Sequence, residues 1–164
     1  MCSHFENQYR ITKYNPKYRV DNVYTLSEWT AISDIGIEFN GKILTEEEYL
    51  KIEHSYLSVI RSILLELSIA ELQVTDFCSP NECDSLNNTT LASVDEILMV
   101  AKNCLREKCW CKLVGDNFFI HFGYDYYMYI GAPISLERIQ CIANENNLYA
   151  ERILNSPYLF GDGS

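Results

Sequence analysis

The chain has few of the devices by which a sequence announces chemistry. It contains no GxGxxG, P-loop, GxSxG or HExxH pattern, so dinucleotide, NTP, serine-hydrolase and zincin chemistry lack their usual signatures. Glycine is scarce, and Gly36 and Gly41 stand too isolated to cradle a phosphate. Basic residues are also few: 13 Lys and Arg face 23 Asp and Glu, a formal net charge of -10. Such a body repels phosphates, which disfavours direct nucleic-acid binding. There is no long apolar run; Tyr56 to Leu72 comes nearest, and Arg61, Glu66 and Glu71 interrupt it, so no membrane span is expected. The first residues are polar and resemble no export leader. The seven cysteines are odd in number and irregular in spacing, which reads as reduced thiols in a cytoplasmic protein.

The residues chemically able to form a site each have a plainer role. Cys109 and Cys111 with Cys78 and Cys83 could be drawn as a zinc site, but their spacing is not that of a usual ligand set, and no CxxC accompanies them. Small buried hydrophobes and a few surface thiols account for them better, with Cys104 on a helix stripe as core. Cys111 and His121, on neighbouring strands, could be imagined as a thiol-dependent catalytic pair. Nothing in the sequence supplies a third orienting group or an oxyanion hole, and a half-buried structural His121 is the preferred reading. His54 reads as a solvated position off the apolar stripe of its helix. Glu46, Glu47 and Glu48 point about 100° apart on a helix and cannot converge on one ion. No catalytic residue, cofactor or metal is expected.

The 164 residues suit one domain, with 48% hydrophobic residues for a real core. Strands are expected at 9–14, 72–78, 109–114, 117–123, 126–131 and 148–153. Thr45 to Glu48 and Ser93 to Glu96 have the pattern of capping boxes and open helices at 46–67 and from 94; Ser135 caps a third, reaching about Asn146. The stretch 17–44 reads as irregular, with a helical turn near 28–35 and a turn at Asn40-Gly41. A mobile polar loop is expected at about 79–92, and a frayed tail at 161–164. The order implies a single α+β domain over 1–164, mostly antiparallel, with about three helices on one face of the sheet.

What is present in strength is the run Gly123-Tyr124-Asp125-Tyr126-Tyr127-Met128-Tyr129 in an acidic chain. Alternation places Tyr126, Met128 and Ile130 on one face and Tyr127 and Tyr129 on the other. An open tyrosine face rimmed by acids suits a cationic partner, because tyrosine offers contact area at low entropic cost and carboxylates steer. Cross-strand stabilisation is the structural alternative. The candidate contacts are Asp116, Tyr124, Asp125, Tyr127 and Tyr129.

Four stretches carry a resemblance: Tyr9-Arg10-Ile11-Thr12-Lys13-Tyr14-Asn15-Pro16, Glu28-Trp29-Thr30-Ala31-Ile32-Ser33-Asp34-Ile35-Gly36, Leu44-Thr45-Glu46-Glu47-Glu48-Tyr49, and Ile120-His121-Phe122-Gly123-Tyr124-Asp125-Tyr126-Tyr127-Met128-Tyr129-Ile130-Gly131. Together they resemble small cytoplasmic bacterial immunity proteins of polymorphic toxins, including contact-dependent growth-inhibition systems. The resemblance covers the first third and the 109–131 segment. It implies a non-enzymatic inhibitor of a cognate toxin domain, more often a nuclease than a pore-former, acting by occlusion of an active or partner site. It transfers no binding residues. Two other classes stay open at this stage: a thiol-dependent enzyme using Cys111 and His121, and a dimeric interaction scaffold. Whether the chain is a monomer or a homodimer is also open.

Overall fold

The computed structural model describes residues 5, 7–80, 86–154 and 156–157; Cys2, Cys83 and the expected tail 161–164 lie outside the described residues. Strand β1 (Gln8–Thr12) is followed by two short hairpins, β2 (Arg19–Val20) with β3 (Val23–Tyr24) and β4 (Glu38–Phe39) with β5 (Lys42–Ile43). Helix α1 (Glu46–Glu66) leads to β6 (Leu72–Cys78) and β7 (Thr90–Leu91). Helix α2 (Val94–Leu105) precedes the meander β8 (Trp110–Val114), β9 (Phe119–Phe122) and β10 (Met128–Gly131), and α3 (Leu136–Glu145) and β11 (Tyr149–Ile153) close the order. β1 and β6 to β11 form one sheet in the order β11-β1-β10-β9-β8-β6-β7, with every pairing antiparallel. The α+β architecture read from the sequence is the one observed.

All three helices start and stop by the same devices. Thr45, Ser93 and Ser135 accept hydrogen bonds from the backbone N–H of Glu48, Glu96 and Arg138, and acids in each first turn meet the positive helix end. At the other end, Ser68, Glu107 and Asn147 take left-handed φ values of 54°, 57° and 60°. The next residue's N–H then donates back to a carbonyl of the last turn: Ile69 to Leu64, Lys108 to Asn103 and Leu148 to Ala143. This is the Schellman closure, made here three times without glycine.

The helices bury one stripe each against one face of the sheet. Tyr56, Ile60 and Ile63 from α1, Ile97 and Ala101 from α2, and Ile139 and Ile142 from α3 meet Tyr9, Ile11, Val74, Leu113, Ile120, Met128 and Ile130 in one apolar cluster. Glu53 is also buried on α1, where Arg106 donates to both of its carboxylate oxygens at 2.7 and 2.8 Å. A charge at that depth is tolerated because it is paired and hydrogen-bonded.

The structure departs from the sequence reading in three places. The expected loop at 79–92 is in part a strand: Leu91 is buried and pairs with Leu72, and Val74 exchanges backbone bonds with Asn88 and Thr89. An unpaired edge of β6 and an apolar residue to bury outweigh the polar composition around them; residues 81–85 lie outside the described set. The strand expected at 126–131 begins only at Met128, because Asp125 and Tyr126 are left-handed, at φ 54° and 64°. The stretch 17–44 is less irregular than expected, since it holds two hairpins. The Asn40-Gly41 turn joins one of them, and Asp21 and Asn22, both at positive φ, join the other.

Candidate partner-binding site

The second face of the sheet is not open. Registers across β6, β8, β9, β10, β1 and β11 set Thr75, Lys112, His121, Tyr129, Arg10 and Glu151 side by side in one lateral row. Lys112, His121, Tyr129 and Arg10 in that row are all buried. Phe5 lays its ring edge-on to Phe119 at 4.7 Å, and Ser156 is hydrogen-bonded to the His121 ring and to Gln8. From the β2–β3 hairpin, Asn22 accepts from Arg10, and Arg19 reaches Tyr127 and Glu151. Gly131 is required in this layer: a Cβ there would lie 2.1 Å from the Phe119 ring. Phe119, His121 and Tyr129 stack in turn, at 5.5 and 5.0 Å between centroids. Burial, and then the nearby Lys112, lower the His121 pKa to about 3, so the ring is neutral at ordinary pH.

These facts sort the expected contact residues. Tyr129 is interred, contrary to the expectation of an open ring, because segments far away in sequence cover its face. Tyr127 is half-buried beneath the Arg10 and Arg19 guanidinium groups. Asp116 is exposed, but it sits in the β8–β9 turn, at the opposite end of the strands from the β9–β10 turn that holds Tyr124 and Asp125. Asp125 is half-buried, and burial followed by the neighbouring Asp34 raises its carboxyl above the ordinary carboxylate range. Of the three candidate tyrosines, Tyr124 alone is displayed outright, 79% exposed.

The turn that displays it is rigidly held. Tyr127 N–H donates to the Tyr124 carbonyl and Gly123 N–H to the Tyr127 carbonyl, and the two central φ values are positive, as in a type I′ turn. A tyrosine with positive φ is unfavourable unless its surroundings fix it. Here Tyr126 points into the core, edge-on to Tyr49 and Tyr56, and donates to the Tyr49 hydroxyl. Tyr14 adds a second tie by donating to the Asp125 carbonyl at 2.6 Å.

Beside Tyr124 lies a groove of about 660 Å³, walled by Pro80, Glu107, Trp110, Phe122 and by Cys78, Cys104 and Cys109. Trp110 is 37% exposed and fixed by its indole N–H to the Phe122 carbonyl. The Schellman turn at the end of α2 folds Cys109 back over the helix. The Cys104 sulfur then lies 3.8 Å from that of Cys109 and 3.6 Å from that of Cys111. Contacts from Cys104 and then Cys111 lower the Cys109 pKa. The proton that Cys104 shares with Cys109, and then with Cys111, raises Cys104. Contact with Cys104 lowers Cys111, but contact with Cys109 and burial outweigh it and raise Cys111 to about 12.

Cys111 faces the helices, whereas Lys112 and His121 pair on the other face. The Cys111–His121 dyad is therefore not assembled. The sequence carries no mark of the sulfur cluster: Cys104 reads as core, where it lies, and Cys109 and Cys111 group with Cys78 and Cys83. No glycine marks the turn that gathers the three. Among the described residues, no helix is long and apolar enough to cross a membrane. No family model, curated protein or solved structure matches this chain.

Proposed function

We propose that this chain is a cytoplasmic immunity protein of the polymorphic-toxin kind: a non-enzymatic inhibitor that binds a basic toxin domain, foremost a nuclease, and occludes its active or partner site. The charge distribution supports the reading. Arg10, Arg19, Lys51, Arg61, Arg106, Lys112 and Arg138 each lie at ion-pair distance from a carboxylate of the same chain. Much of the scarce positive charge is thus neutralised internally, while Glu46, Glu48, Glu71, Glu96, Glu107 and Asp116 face solvent. A surface of that sign attracts a cleft built for phosphates and raises the encounter rate.

The observation that carries the reading is Tyr124, an exposed ring on a turn fixed from beneath, next to Trp110 and an apolar groove with Glu107 on its wall. Rigid aromatic anchors beside a concavity are the usual centre of a tight protein interface. The test is co-purification with the product of the neighbouring gene, together with rescue of cells that express it. Tyr124→Ala is expected to weaken the complex at least tenfold, about 1.4 kcal/mol. Failure of rescue, or undiminished affinity in Tyr124→Ala, overturns the proposal.

A further inference from the structure

We infer that Cys104 and Cys109 form an oxidation site at which a small peroxide converts two thiols into one disulfide on the wall of the groove. The inference stands apart from the proposed partner. Among the described residues, the close sulfur–sulfur contacts are those of Cys104 with Cys109 and Cys111, at 3.8 and 3.6 Å. Their exposures differ in the way the chemistry needs. Cys109 is half-buried and lines the groove, so a peroxide can reach it, whereas Cys111, the second residue of β8, is 1% exposed. Cys104 also borders the groove, at the last turn of α2. Cys78 and Cys141 are exposed, but the Cys141 thiol donates to the Glu145 carboxylate, which cannot resolve an oxidised sulfur.

The steps balance with hydrogen peroxide as the oxidant. The Cys109 thiolate attacks one peroxide oxygen; the O–O bond breaks, hydroxide leaves, and Cys109 becomes a sulfenic acid, oxidised by two electrons. The Cys104 sulfur, deprotonated as it attacks, displaces the sulfenic oxygen. An S–S bond forms, the S–O bond breaks, and the hydroxyl leaves as water with the Cys104 proton. The 3.8 Å contact must close to about 2.05 Å as the bond forms. Two features favour the thiolate at Cys109: the Cys104 thiol in contact with it, and its place in an opening that a small oxidant can enter.

The whole chain is treated with sub-millimolar hydrogen peroxide, and its intact mass and peptide map are read. The expected product has lost two hydrogens, with one disulfide mapped to Cys104–Cys109 and reversed by dithiothreitol. In Cys104→Ala a dimedone adduct should accumulate on Cys109. In Cys109→Ser the rate of thiol loss at Cys104 should fall at least tenfold, with circular dichroism confirming the fold of both variants. Oxidation confined to Cys2, Cys78, Cys83 or Cys141 overturns the assignment. So does a disulfide mapped elsewhere, or Cys109 passing to sulfinic acid while Cys104 stays reduced.

Discussion

His121 shows how much one buried side chain can decide. It sits at 0% exposure between Phe119 and Tyr129, and its pKa of about 3 lies below the ordinary 6.5. Above pH 6.5 the ring is neutral whether the chain is folded or not, and titration costs nothing. Below 6.5 the unfolded ring takes up a proton that the folded site refuses. Stability therefore falls as pH drops from about 6.5 towards 3, with about 2 kcal/mol lost by pH 5 from this residue. Urea unfolding at pH 7 and 5 measures the loss, and His121→Phe should remove that share of it. The His121 ring protons should also keep their neutral chemical shifts at pH 4.5. A ring titrating near 6.5 contradicts this account. The sequence indicated a structural histidine, but not the depth of its burial. Alternation showed that His121 shares a face with Phe119; that Phe5, Ser156 and the β2–β3 hairpin roof the face depends on contacts across the whole length of the chain.

At the scale of elements, the three helix ends carry a testable cost. Each uses a residue with a side chain where glycine is favoured, and Ser68 is the plainest case: exposed, φ 54°, with Ile69 N–H closing onto Leu64 at 2.8 Å. Ser68→Gly relieves the left-handed strain without touching the core and should stabilise the fold by roughly 0.5–1 kcal/mol, read as a higher denaturant midpoint at unchanged slope. No gain, or a loss, would mean that serine is not strained there. Helix starts were legible because Thr45, Ser93 and Ser135 each sit three residues before the N–H they receive. The helix stops carry no such mark, and the sulfur cluster formed by one of them is not legible in the sequence for that reason. The tyrosine turn was half legible. That Tyr126, Met128 and Ile130 share one face followed from alternation, although Tyr126 reaches the core from a left-handed turn rather than from a strand. The outward set failed at Tyr129, whose exposure depended on a cover that local pattern does not encode.

For the molecule as a whole, position matters as well as total charge. Glu107 stands on the groove wall next to Tyr124, while Asp116 lies in the turn at the far end of the same strands. Glu107→Lys and Asp116→Lys change the net charge equally. If the partner seats on the groove, Glu107→Lys should slow association several-fold at low salt, with the difference shrinking as added salt screens it, and Asp116→Lys should change it far less. Equal effects from both substitutions would make the attraction global and remove the groove from the interface.

The strand order has a further consequence, for the timing of folding. β1 lies between β10 and β11, and the Tyr9 hydroxyl donates to the Ile134 carbonyl 125 residues away. A nascent chain emerging from the ribosome therefore makes β1 early and holds it without either neighbour until nearly all the remaining elements exist. Both edges of β1 stay unpaired for that interval. Loop closure over such a span slows folding, and it makes β1 the segment through which an unfinished copy would pair with the wrong chain.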